Sequence, residues 1–197
     1  MSSTSSSSRL RATLSGIMLV GSYILAVGLS TAEQRQLGAH EHGTAALNVA
    51  MSDSTLSIEF TAPAANLVGF EHAATTEDQA RAIAQAEEVL ASGGILGLPE
   101  NAECELTASN VEHETEGEHA DDDHGEHEKE HEGEEESHSE FHALLTYDCR
   151  NIEALTHIDV EIFLLFPGNT EIHTQVITPT GQSGGELTPD AARLLLP

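Results

Sequence analysis

Imidazole and carboxylate groups crowd one stretch of the chain, from Glu112 to His142. Between Glu112 and Glu140 there are 15 acidic residues, six histidines and a single lysine. Histidine and carboxylate are borderline-to-hard donors that suit divalent zinc, nickel and copper. His124 and His127 are three residues apart and His127 and His131 four, so a compact turn would put these rings within reach of one ion. His119, His138 and His142 extend the set, and the spacing does not choose a coordinating subset among them. Gly117, Gly125, Gly133 and the like-charge runs oppose a stable helix, so residues 112–140 read as a disordered insertion that orders in part when metal binds. A solvated acidic spacer would account for the carboxylates but has no use for so many histidines. Neighbouring carboxylates attract a cation and also favour protonated imidazole, so metal binding should weaken steeply below about pH 6.

A second motif is His40-Glu41-His42, whose spacing of two puts both rings on one side of an extended chain. His72 follows an apolar segment and, read alone, is a structural hydrogen-bonder. His157 and His173 sit on strands with no neighbouring ligand pattern and are read as structural. Catalysis finds little support. There is no His-Glu-x-x-His helix, no phosphate-binding glycine loop, and no serine in a nucleophile context. Most carboxylate pairs lie in the insertion, which cannot hold them rigidly enough for acid–base work.

These groups need elements to position them. The chain opens on a leader: Arg9 and Arg11, an apolar run from Leu14 to Val27, then small residues. Residues 1–32 are expected to be a cleaved signal peptide, with cleavage after Gly28 or Ala32, leaving residues 33–197 as one domain without a membrane segment. Two cysteines, Cys104 and Cys149, read as a disulfide in an exported protein. A formal net charge of −27 argues against nucleic acid and anionic membranes and favours cations.

Apolar alternation from Ala45 to Met51 and from Leu56 to Ala62 predicts a hairpin. Thr76-x-x-Gln79 predicts a capping box opening a helix over about Glu77 to Ser92. Cys104, Leu106 and Ala108 alternate, as do Phe141, Ala143, Leu145, Tyr147 and Cys149. Paired antiparallel, they place Cys104 opposite Cys149 with the insertion at the hairpin tip. His157–Phe166 is predicted as a central strand paired with Ile172–Thr178, with Pro179–Gly185 a loop and a short helix beginning at Thr188-Pro189-Asp190. The expected fold is α+β: an antiparallel sheet of about six strands in three hairpins, one main helix and a short C-terminal helix.

Three stretches carry a resemblance. They are Ala39-His40-Glu41-His42-Gly43 with Leu47-Asn48-Val49; Phe60-Thr61-Ala62-Pro63-Ala64-Ala65-Asn66-Leu67-Val68-Gly69-Phe70-Glu71-His72; and Phe163-Leu164-Leu165-Phe166-Pro167-Gly168 through Thr178-Pro179-Thr180-Gly181-Gln182 to Leu187-Thr188-Pro189. Together they resemble the ZrgA-like family of periplasmic proteins of Gram-negative bacteria, over nearly all of the chain after the leader. The resemblance implies a periplasmic zinc-binding protein that captures, buffers or delivers zinc to high-affinity uptake, with a zinc ABC transporter or its binding protein as the partner. It maps an ordered site onto His40, His42 and His72. Alternatives are an acidic envelope module docking on a basic partner, and a nickel or copper buffer using the same donors. A hydrolytic zinc enzyme is the weakest reading.

Overall fold

Period-two hydrophobicity builds the centre of the molecule. The computed structural model describes residues 41–115 and 138–197. The expected leader, His40 and residues 116–137 lie outside the described residues. Strands β1 (Thr44–Ser52) and β2 (Thr55–Pro63) form the predicted first hairpin, with Val49 opposite Ile58. Helix α1 (Ala64–Val68) follows directly, in a stretch without a clear period in the sequence. Helix α2 (Glu77–Ala91) has the predicted capping box, with Thr76 accepting from the Gln79 amide and the Gln79 side chain accepting from the Thr76 N–H. It buries Ala86 and Leu90.

The chain then forms the short β3 (Leu96–Gly97) and the long pair β4 (Cys104–Thr115) and β5 (Ser139–Cys149). The predicted disulfide joins Cys104 to Cys149 at the base of this pair. Leu106 faces Tyr147 as expected, but a bulge at Thr107 then shifts the register, so Ala108 faces Thr146 and Ser109 faces Leu145. The Thr107 hydroxyl donates to the Thr146 carbonyl at 3.0 Å, which ties the extra residue to the ladder. Both ends of the predicted insertion are strand: β4 continues through Thr115 and β5 starts at Ser139.

Beyond β5 the fold departs from the expected three hairpins. β6 (His157–Val160) is only four residues long and turns into α3 (Ile162–Leu165). The run Ile162 to Phe166 is apolar throughout, and such a run suits a helical turn as well as a strand; here it buries Ile162 and Phe163 and leaves Leu164 exposed. β7 (Glu171–Thr178) does not pair with β6. It lies parallel to β1, Thr44 beside Glu171 and Val49 beside Val176. The segment expected to be loop is β8 (Gly181–Leu187), an exposed glycine-rich edge strand antiparallel to β7. The expected C-terminal helix is absent. Thr188 and Ala191 close a turn, and β9 (Arg193–Leu195) adds to β6. The few residues after Pro189 are too short for a helix to hold by itself. β6 supplies backbone partners instead, and Arg193 grips Asp159 through two hydrogen bonds of 2.6 and 3.1 Å.

The described residues therefore form a mixed six-stranded sheet, order β4-β5-β2-β1-β7-β8, and a smaller sheet, order β3-β6-β9. The α+β class holds in broad terms, with more strand and less helix than expected. One face of the main sheet carries the core: Leu47, Ile58, Phe60, Phe141, Leu145, Ile172 and Val176, all essentially inaccessible, with α2 packed on the β4 and β5 side. The other face is open and mixed: Asn48, Glu59, His142 and Gln175 stand on it beside the exposed Leu144 and Ile177. Among the described residues no helix is long and apolar enough to cross a membrane.

Candidate metal centre

One end of the main sheet gathers the starts of β1, β5 and β7 and the ends of β2, β4 and β8, because the strand directions bring those termini together. Most of the described histidines lie there.

One group is built from three chain segments. His42 lies two residues before β1, Glu71 follows α1, and His138 is the residue before β5. Glu71 accepts from both rings, through Oε1 to His42 Nε2 at 3.0 Å and through Oε2 to His138 Nδ1 at 3.1 Å. Its side chain is 13% exposed, against 69% for His42 and 31% for His138. A carboxylate held mostly out of water, with one imidazole on each oxygen, is a donor set that suits zinc. The two hydrogen bonds occupy the lone pairs an ion would take, and an ion replacing them would stand about 2.0–2.2 Å from each donor atom.

The backbone around this group is fixed by Asn66, a buried residue of α1. Its Oδ1 accepts from the Gly43 N–H at 2.7 Å, while Nδ2 donates to the Thr44 carbonyl at 3.0 Å and to Asn169 Oδ1 at 3.2 Å. Gly43 has φ +89°, and a Cβ there would stand 2.6 Å from Thr170 Oγ1, so this position needs glycine. Gly168 lies so close to the Asn66 backbone carbonyl that a side chain there would collide with it. The three stretches that carry the family resemblance thus converge through one amide side chain. That amide sets the direction in which His42 leaves the sheet.

The other expected ligands divide. His72 donates from Nδ1 to the Ala73 carbonyl at 2.8 Å, stacks on Phe70, and lies 3.5 Å from the Gln79 amide nitrogen. None of these contacts joins it to Glu71. The acid of Phe70-Glu71-His72, not its histidine, meets His42. His142 stands on the open face of β5, with Nε2 2.8 Å from Glu140 Oε1 and Nδ1 3.2 Å from the Thr61 hydroxyl. His40, His119, His124, His127 and His131 lie outside the described residues. His113, inside the predicted insertion, is on β4 and stacks on Phe141 with ring centroids 4.5 Å apart. Burial lowers its pKa, against the opposing pull of Glu87.

The hydrogen bond that His142 donates to Glu140 raises the His142 pKa above its ordinary value; burial opposes this, and the charges of Glu140, Glu114 and Glu59 add to it. The sign follows from linkage. The folded state binds this proton more tightly than the unfolded chain, so the resulting stability is fully present below the unfolded pKa, about 6.5. It is lost as pH rises through the folded pKa. In a proton NMR titration of the metal-free protein, the His142 midpoint is expected above 6.5, and Glu140→Gln should bring it down. Protons therefore compete with metal at His142 to a higher pH than at an unperturbed imidazole.

A third group lies on β7 and β8. His173 Nε2 is 3.0 Å from Glu171 Oε1, and its Nδ1 is 3.8 Å from Glu186 Oε1. Sequence reasoning read His173 as structural and gave no role to Glu71, Glu171 or Glu186. The signal was present in part: Glu171-x-His173 has the same spacing of two as His40-x-His42.

No curated protein matches the chain. A family model described as "ZrgA family zinc uptake protein" matches residues 39–196, a span that contains all three convergent stretches and every group described above. The chain belongs to the ZrgA family of zinc uptake proteins.

Proposed function

We propose that the protein works outside the cytoplasm as a zinc carrier, holding the ion between His42, Glu71 and His138 and giving it up to an uptake system. The observation that carries this reading is the Glu71 carboxylate, mostly screened from water and shared by two imidazoles from distant parts of the chain. Family membership supplies the metal and the direction of its traffic. The Cys104–Cys149 disulfide suits an oxidising compartment, as does the expected leader over residues 1–32. In this reading the periplasm is the site of action and a zinc ABC transporter or its binding protein is the recipient.

The insertion serves as a collector. Its histidines and acids raise the local concentration of cations next to His138, which belongs to both the insertion's return and the ordered group. Zinc arriving there has a short path onto Glu71.

The test is calorimetry with zinc chloride on the purified mature protein at neutral pH. The wild type should bind more than one ion. Replacing residues 116–137 by a short Gly-Ser linker should remove the excess ions and retain a tight one. An absence of zinc binding to the wild type sinks the proposal. Loss of all binding with the linker moves the site to the insertion and overturns the role given to Glu71.

A further inference from the structure

We propose that Glu171, His173 and Glu186 form a second divalent-cation site, separate from the Glu71 group. The pleat of β7 puts Glu171 and His173 on one side of the strand, two residues apart. Register places Glu186 of β8 directly opposite His173. One donor atom from each of the three residues lies within 4.8 Å of the other two. A four-coordinate ion with bonds near 2.1 Å holds its donors about 3.4 Å apart, so the closing movement is small. Glu186, 65% exposed, is free to make most of it, while His173, 27% exposed, stays anchored on the sheet.

Space and charge agree with an ion. The neighbour of His173 on β1 is Ala46, and Gly184 is two residues from Glu186 along β8, so no large side chain crowds the group from either position. Two carboxylates and one neutral imidazole carry a charge of minus two. Each arginine among the described residues is engaged by carboxylates elsewhere: Arg81 by Asp78, Arg150 by Glu103 and Glu105, and Arg193 by Asp159. A protonated His173 would offset only half of the charge, and a dication offsets all of it. One nitrogen and two oxygens, with water in the remaining positions, suit zinc among the borderline divalent metals. Strand pairing puts Glu171 beside Thr44, two residues after His42, so the two groups occupy the same end of the sheet.

The test follows the histidine ring nitrogens by NMR during titration of the full mature protein with zinc chloride. His173 is expected to respond with saturation and to keep that response when His42→Ala and His138→Ala remove the first group. Glu171→Gln with Glu186→Gln should weaken the His173 response at least about tenfold in zinc concentration, leaving His42 and His138 unchanged. Backbone amide spectra of both variants check that the sheet is intact. A silent His173 at zinc levels that saturate the other rings overturns the proposal. So does a response that survives the double Gln variant, or one that calcium reproduces at equal concentration, which would mark diffuse charge attraction. Since His42 and His138 report on the Glu71 group in the same spectra, failure of either site is read independently of the other.

Discussion

Glu71→Gln is expected to lower zinc affinity at the ordered site by at least about a hundredfold, equivalent to about 2.7 kcal/mol. The substitution keeps the shape of the side chain and removes its charge. It also presents an amide NH2 where one of the two imidazoles now meets a carboxylate oxygen. Groups that merely orient a metal ligand cost 10–100-fold in affinity when removed, so losing the carboxylate that touches both His42 and His138 should cost more. His72→Gln is the matched control. Its ring bonds to the Ala73 carbonyl and stacks on Phe70, outside the Glu71 group, so a change of less than about threefold is expected. Competition against a chromophoric zinc chelator measures both. Equal losses in the two variants would show that the adjacent acid and histidine act as one unit, contrary to the geometry.

The second large effect concerns stability. Cys104→Ala with Cys149→Ala is expected to destabilise the metal-free protein by about 4 kcal/mol, from the loop-closure entropy of a bridge spanning 45 residues. For a domain of this size that corresponds to a melting temperature lower by about 8–16 °C. The loop between the cysteines is the reason for the magnitude. It contains the insertion, which has few apolar residues to bury, so the unfolded chain gains much freedom when the bridge is cut. Zinc affinity of the folded variant should change little, because the bridge sits at the opposite end of the β4–β5 pair from His138. Thermal denaturation followed by circular dichroism, with and without zinc, separates the two quantities. A melting point within 2 °C of wild type, where about 8–16 °C is expected, would mean that β4 and β5 hold without the staple.

Local pattern revealed the parts of this fold that are built from local pattern. The β1–β2 hairpin follows from alternation on either side of Ser52-Asp53-Ser54, and α2 follows from Thr76 and Gln79. The disulfide was legible because both cysteines occupy apolar positions of alternating strands. Non-local pairing was not legible. Nothing near Thr44 announces Glu171 as its neighbour, and the parallel contact replaced the hairpin predicted for residues 157–178. β8 has almost no apolar side chain to alternate, since an exposed edge needs only backbone partners. Within the site, His42 stood out because histidine is uncommon outside the insertion. Glu71, Glu171 and Glu186 did not, because each is one acid among 34 aspartates and glutamates. Glu71 is set apart by burial and by the two rings it meets, Glu171 and Glu186 by what they face, and none of this is written in residue type.

The pairing of β1 with β7 also sets an order of events. The β1–β2 hairpin can close early, since its contacts are local. The Gly43 carbonyl, however, receives the N–H groups of Thr170 and Glu171, and the Thr170 hydroxyl closes on it across 127 residues. Asn66 meets Asn169 across 103 residues. Contacts of such long range form slowly, because the intervening chain must be closed first. The direction of His42 is therefore fixed only when the last third of the polypeptide has docked. Competence to hold an ion at Glu71 should be a late milestone of folding, reached after most secondary structure is in place.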